Sequence, residues 1–238
     1  MSKGLPRPPS AASDVLRRAA EAGLNMIIPH EVTYWNDRDD ITLVQGDPLY
    51  RVKADFMQKH GMVVFRMHDH MHVQRPDFTY VGSARALGLE SKYETAPGSH
   101  RFVLPETTLG ELAAGFQKRL GANALRVVGD PKARVSRIQL GVGYATPPVN
   151  NADVDVVVSG EGAESDGTFD SPAYVLDAVA LGIRKGWVML GHTVSEEQGM
   201  LEMASWIKAF TPEIPVELIR AGEPFWAPGS PPAAARAI

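Results

Sequence analysis

Ser171-Pro172-Ala173-Tyr174-Val175-Leu176-Asp177-Ala178-Val179-Ala180-Leu181-Gly182 and, after four intervening residues, Trp187-Val188-Met189-Leu190-Gly191-His192 together decide the fold class. Ser171 and Pro172 form an N-cap and first-turn pair: a serine hydroxyl can accept an orphan amide, and proline's fixed φ suits a helical position that needs no N–H. Leu176, Val179 and Ala180 carry the helical pattern to Gly182, where a glycine can end it. Trp187 to Leu190 is a short uninterrupted apolar run, the signature of a buried strand. A helix, a glycine, a strand and a polar terminus predict an α/β protein.

The same pattern occurs twice earlier. In Ser13 to Glu31, Ser13 is placed to cap a helix, Gly23 sits where a left-handed stop belongs, and Leu24 to Ile28 reads as a buried strand ending at Pro29-His30-Glu31. Lys53 to Lys59 predicts a second helix broken by Gly61, and Met62 to Phe65 a strand that runs into His68-Asp69-His70-Met71-His72. Further strands fit Leu125 to Val128, Val135 to Leu140 and Val154 to Val158, the last ending in Ser159-Gly160-Glu161. Thr108 to Leu120 has the spacing of an amphipathic helix. Ser195 and Gln198 have capping-box spacing ahead of an apolar stripe through Met200, Met203, Ala204, Ile207 and Phe210. Residues 1–12 and 222–238, rich in Pro, Ala, Gly and Ser, are expected to be flexible arms.

Composition narrows the function classes. The chain has 238 residues with 24 Lys plus Arg against 28 Asp plus Glu, a net charge of −4 that argues against a nucleic-acid or anionic-membrane binder. It has no cysteine, so disulfides, thiol nucleophiles and Cys-held metals are excluded, and any metal must be held by His and carboxylates. No apolar run approaches the roughly 18 residues of a membrane span, and Met1 to Asp14 lacks the apolar stretch of a secretory leader, so a cytoplasmic location is expected. No phosphate-binding loop or serine nucleophile elbow is present. Gly141-Val142-Gly143 lacks a third glycine and reads as a tight turn.

The seven histidines are His30, His60, His68, His70, His72, His100 and His192. Five of them follow the carboxyl ends of three predicted strands, which is where open α/β sheets bind ligands. If those strands are parallel neighbours, the three polar segments meet. His68 and His72 share a side whether the segment is helix or strand, whereas His70 joins them only in a strand. His192 and Glu196 have the same spacing, and His30 and Glu31 follow a proline on a turn. Imidazoles with carboxylates suit zinc, manganese, iron or nickel. The metal-ligand candidates are therefore His30, Glu31, His68, His72, His192 and Glu196, with Glu31 and Glu196 also candidate catalytic bases. The plainer alternatives are a first-turn helix-dipole role for Glu196 and an adventitious role for the His68–His72 run. His60 and His100 are read as solvated surface residues. Tyr34 and Trp35 suit a core, an interface or the stacking of a planar ring.

At these residues the chain resembles the NIF-three-like dinuclear metal-centre proteins, also known as GTP cyclohydrolase 1 type 2 homologues. The resemblance runs in order from Asp14 to Phe210 through His30-Glu31, His68 to His72, Ala86-Leu87-Gly88-Leu89, Thr108-Leu109-Gly110-Glu111-Leu112, Arg126-Val127-Val128-Gly129-Asp130 and Ser159-Gly160-Glu161, to Gly191-His192-Thr193-Val194-Ser195-Glu196. It implies two α/β lobes with helices on mixed or mostly parallel sheets and a metal site at strand carboxyl ends. The first lobe would span 13–105, completed by 186–221, and the second 106–185. It also implies two divalent ions per chain, zinc first with manganese or iron as alternatives, and a homohexameric ring to which Trp35, Phe225 and Trp226 are candidate contacts. The implied activity is metal-dependent hydrolysis of a small, cyclic, nitrogen-containing substrate. A non-catalytic metal-binding regulatory or scaffold protein and a mononuclear metal binder are the alternatives. Where the family has His-His this chain has His30-Glu31, and where it has Asp this chain has His72, so the resemblance implies that Glu31 supplies the displaced carboxylate. Family members also begin with a strand and helix ahead of the segment equivalent to Asp14, which implies that part of the first lobe is missing or replaced here.

Overall fold

The computed structural model describes residues 11–36, 38–94, 100–162 and 170–228. Most of the two expected arms lies outside them, but Ala11 and Ala12 belong to the first helix rather than to an arm. The contacts group the chain into two compact units. One takes the described residues up to Gln74 together with Pro215–Ala221, and the other Arg75–Ile214 with the described residues from Gly222.

The first unit runs α1 (Ala11–Glu21), β1 (Met26–Ile27), a single 3-10 turn, α2 (Pro48–Lys59), β2 (Val63–Val64) and α3 (Asp69–His72). Because α1 starts at Ala11, Ser13 lies inside the helix and not at its cap. Gly23 does take the left-handed conformation expected of it, with φ +73°. Helix α2 starts five residues ahead of the apolar pattern. The Asp47 carboxylate accepts the Leu49 amide at 2.8 Å and Pro48 fills the first turn, local chemistry that hydrophobic spacing does not register. Strands β1 and β2 pair in parallel, but each is only two residues long. Met26 and Val63 face outward, so this is not the buried strand expected over 24–28.

The second unit holds α4 (Phe78–Leu87), β3 (Arg101–Thr108), α5 (Leu109–Leu120), β4 (Arg126–Gly129), β5 (Arg134–Leu140), β6 (Val156–Ser159), α6 (Ser171–Ala180), β7 (Gly186–Met189), α7 (His192–Glu196) and α8 (Gly199–Phe210). Its sheet has the order β3-β5-β6-β7-β4, with β5, β6 and β7 parallel and antiparallel strands at both edges. Strands β6 and β7 are buried along their length, as expected of parallel strands covered on both faces. Val156, Val158 and Val188 point to a core shared with Ile138, Leu140, Leu109 and Phe116. Val157, Trp187 and Met189 point the other way, packing with Val175 of α6. Trp187 satisfies its indole N–H on Ser159 Oγ at 2.8 Å.

Four details depart from the sequence pattern. β3 is an edge strand that carries Pro105 inside a register shift between Val103 and Thr107, where a missing amide costs nothing. Helix α6 begins at Ser171 itself, one residue earlier than the N-cap reading. Ser195 forms no capping box, since α7 is already helical from His192 and α8 begins at Gly199. The compact units also divide differently from the lobes of 13–105 with 186–221 and of 106–185: β7 is hydrogen-bonded between β6 and β4, and only Pro215–Ala221 of the closing segment groups with the first unit. No helix among the described residues is long and apolar enough to cross a membrane.

Helices α4 and α8 touch through their backbones. A Cβ added at Gly82 would lie 2.3 Å from the Gln198 carbonyl oxygen, and one at Gly199 2.6 Å from Thr79 Cα. Neither neighbour is a movable side-chain tip. Gly82→Ala should therefore push α8 away and lower stability by about 1–3 kcal/mol in denaturant unfolding. An unchanged midpoint would show that the two helices separate without cost.

Candidate metal centre

In the first unit, main-chain pairing continues beyond the strands. The Val63, Phe65 and Met67 amides donate to the Asn25, Ile27 and Pro29 carbonyls at 2.8, 2.9 and 2.9 Å, so the parallel ladder runs on until it delivers His30 and His68 side by side. Their rings stack with centroids 4.4 Å apart. His72 arrives from α3, its ring 5.0 Å from that of His30 and 4.8 Å from that of His68. One donor atom from each of the three imidazoles lies within 4.8 Å of the other two. The segment is helical, so His70 turns away to solvent while the buried Met71 anchors the short helix. Carried forward, the ladder register also brings Glu31 level with His68, and Glu31 Oε1 is 3.8 Å from His68 Nε2.

The surroundings hold these groups in place. His68 Nδ1 pairs with Asp69 Oδ1 at 2.8 Å, and that hydrogen bond is the main reason the Asp69 carboxyl titrates below its usual range. Arg66 Nε donates to the His30 carbonyl at 3.3 Å. After Glu31, the Asp39 carboxylate accepts the Thr33 and Tyr34 amides, both at 2.8 Å, while the buried Lys53 donates to the Thr33 carbonyl at 2.8 Å. Burial pushes the Lys53 ammonium pKa down. Tyr34 packs against Tyr50, and Trp35 stands out in solvent.

The second unit uses the same device. Beyond β6 and β7 the Leu190 and Gly191 amides donate to the Ser159 and Gly160 carbonyls, both at 2.8 Å, and bring Glu161 beside His192. Glu161 Oε1 lies 2.5 Å from His192 Nδ1, and Glu196 Oε2 lies 3.0 Å from His192 Nε2. Glu196 is buried one helical turn after His192. Its carboxylate lies directly against Gly143, where a Cβ would stand 1.7 Å from Glu196 Oε1. Gly143, at φ +55°, belongs to the tight turn that the sequence predicts there. Its amide donates to Ser195 Oγ at 2.8 Å, and Ser195 Oγ donates in turn to the His192 carbonyl at 2.7 Å. Ser83 also donates to the Ser195 carbonyl. Ser195 thus ties α7 to the Gly143 turn, which explains why it does not act as a cap.

Of the expected ligands, His30, Glu31, His68 and His72 come together within the first unit, and His192 pairs with Glu196 within the second. The three strands are not all neighbours: β1 pairs with β2, while β7 belongs to the five-stranded sheet. Histidine-centred reasoning misses Glu161, although its place just past the predicted strand Val154 to Val158 is a signal in the sequence. His60 packs on Phe56 with ring centroids 4.4 Å apart, away from the cluster. His100 is not a solvated surface residue. It stacks on Tyr80 at 3.6 Å, and burial lowers its pKa. Three imidazoles with a carboxylate alongside fit a divalent transition ion, since a three-His set is a known zinc arrangement with one position left for water.

A family profile described as Duf34/NIF3 (NGG1p interacting factor 3) matches residues 10–223. No curated protein matches in sequence. Among solved structures, the chain is similar to the Staphylococcus aureus hypothetical protein SA1388, with TM-score 0.63, 17% identity, and 90% of this chain and 83% of that one covered. It is also similar to a Bacillus cereus protein related to NIF3, with TM-score 0.62, 15% identity, and 89% and 85% covered. Thermus thermophilus TTHA1606 gives TM-score 0.57 at 18% identity, with 89% and 80% covered. At these identities the likeness establishes a shared mixed α/β fold.

Gly143→Ala would place a methyl group on the Glu196 carboxylate and add a side chain at positive φ. We expect it to cost about 1–3 kcal/mol in thermal unfolding. Wild-type stability would mean that the Glu196 carboxylate is not held against Gly143.

Proposed function

We propose that this chain, which belongs to the Duf34/NIF3 family, is a divalent-metal-dependent hydrolase of a small, nitrogen-containing cyclic substrate. The observation that carries this reading is the His30, His68 and His72 cluster, with donor atoms within 4.8 Å of one another. Those three residues with Glu31, and His192 with Glu196, are the proposed ligands of two divalent ions per chain, zinc foremost. A bound ion supplies a water acidic enough to act as hydroxide near neutral pH. The protein's own part is to hold the imidazoles in one cluster and to offer Glu31 or Glu196 as proton acceptor. The support for hydrolysis over storage is that the Glu31 side chain beside the three imidazoles is 46% exposed, so solvent reaches that carboxylate.

Purified chain dialysed against zinc should carry up to two ions. His30→Ala with His68→Ala should remove the ion held by the imidazole cluster, and His192→Ala most of the other. Full occupancy in a protein lacking His30, His68 and His192 would overturn the ligand assignment. Metal uptake without cleavage of any member of a panel of cyclic amides and amidines would instead assign the chain a non-catalytic metal-binding role.

The chain is further proposed to act as a homo-oligomer, a hexamer by family resemblance. Trp35, Phe225 and Trp226 are 73%, 60% and 57% exposed and are the proposed contact residues. Light scattering should give a multiple of 25.8 kDa, and a monomer mass throughout the micromolar range would refute it.

A further inference from the structure

His192 has a carboxylate on each ring nitrogen. Glu161 Oε1 is 2.5 Å from Nδ1 and Glu196 Oε2 is 3.0 Å from Nε2. A neutral imidazole carries one proton and can donate it on one side only. If the proton sits on Nε2, it is spent on Glu196 and the ring offers no lone pair there. If it sits on Nδ1, Nε2 and Glu196 Oε2 face each other as two acceptors at 3.0 Å, an arrangement that repels unless a second ring proton or a metal cation lies between them. The nearer carboxylate is that of Glu161. We propose that Glu161 is a positioning residue: it accepts the His192 Nδ1–H, fixes the ring's tautomer and rotation, and so turns Nε2 and the Glu196 carboxylate into a matched donor pair for a divalent cation.

Two further observations point the same way. Glu161 is brought beside His192 by the parallel main-chain pairing of Leu190 and Gly191 with Ser159 and Gly160, so the sheet sets the two residues side by side and leaves only their side-chain rotamers to close the contact. The first unit repeats the arrangement, with His68 Nδ1 held by Asp69 at 2.8 Å and Nε2 turned toward Glu31 at 3.8 Å. An imidazole that ligates a metal through one nitrogen ordinarily donates the other N–H to a carboxylate, carbonyl or water, and losing that partner costs about tenfold to a hundredfold in metal affinity. The position of the Glu161 carboxylate, more than a third exposed, makes a purely structural role small.

The inference rests on the metal-binding reading, but its first test needs no metal. Nitrogen-15 NMR of the histidine side chains in metal-free protein, at about pH 8 and so above the ordinary imidazole pKa, reads which nitrogen holds the proton. His192 should carry it on Nδ1. Glu161→Ala should move it to Nε2, toward Glu196, and Glu161→Gln, which keeps an acceptor oxygen, should retain it on Nδ1. In zinc titrations Glu161→Ala should bind about tenfold to a hundredfold more weakly, with near wild-type thermal stability and with Glu161→Gln close to wild type. A proton on Nε2 in the wild-type protein, or a Glu161→Ala protein with unchanged tautomer and unchanged zinc affinity, would overturn the assignment. Wild-type protein that takes up no metal yet keeps the proton on Nδ1 would overturn the proposed function and leave the positioning role of Glu161 standing.

Discussion

Parallel main-chain pairing that runs on past the ends of short strands is the constraint on which the candidate centre depends. β1 and β2 pair over two residues each, yet their hydrogen bonds continue to Pro29 and Met67. β6 and β7 pair over four, and the bonds continue to Gly160 and Gly191. Each such bond contributes only about 0.5–1.5 kcal/mol net. Their importance is directional. An amide bonded to a neighbouring carbonyl fixes the plane of the next Cα, so the side chain that follows starts from a set position and has only its own rotamers left to choose. His30 beside His68, and Glu161 beside His192, follow from that.

A short ladder cannot hold a site alone, and each unit adds its own reinforcement. In the first, a polar frame of Asp39 and Lys53 pins the segment after Glu31 by its backbone amides and one carbonyl. In the second, small residues do the work. Gly143 leaves space for a buried carboxylate, Gly160 approaches the Gly143 backbone and Ser195 Oγ at distances that a Cβ could not share, and Ser195 spends both its donor and its acceptor on that junction. Buried polar groups are tolerable when they are satisfied in this way, and the rigidity so gained is what a metal or a reacting water requires.

Much of this was legible in the residues. The α/β class followed from helix, glycine and strand recurring in order. The i, i+4 spacing of His68 with His72, and of His192 with Glu196, survives in the folded chain, and the condition placed on His70 resolves against it once the segment is helical. These signals are local, set by the period of a helix and by the stop that a glycine allows. β3 was not legible because an edge strand with one solvated side and a proline in a register shift has neither an apolar run nor a clean alternation. Apolar spacing alone underestimates the span of α2, because its start is set by Asp47 and Pro48.

The sequence by itself determined which chemical groups are available: imidazoles and carboxylates, no thiol, and their placement just past strand ends. It could not determine which nitrogen of which imidazole meets which carboxylate. Those distances depend on strand partners far apart along the chain, Asn25 with Val63 and Ser159 with Leu190, and a pairing of that kind leaves no periodic trace in either segment. Only the tertiary structure decided that β7 lies between β6 and β4, that Glu161 reaches His192, and that Ser195 serves a junction and not a helix cap. The physical reason is the same each time. A hydrogen bond is decided by which donor and acceptor the fold brings within about 3 Å, whereas sequence spacing reports only neighbours along one element.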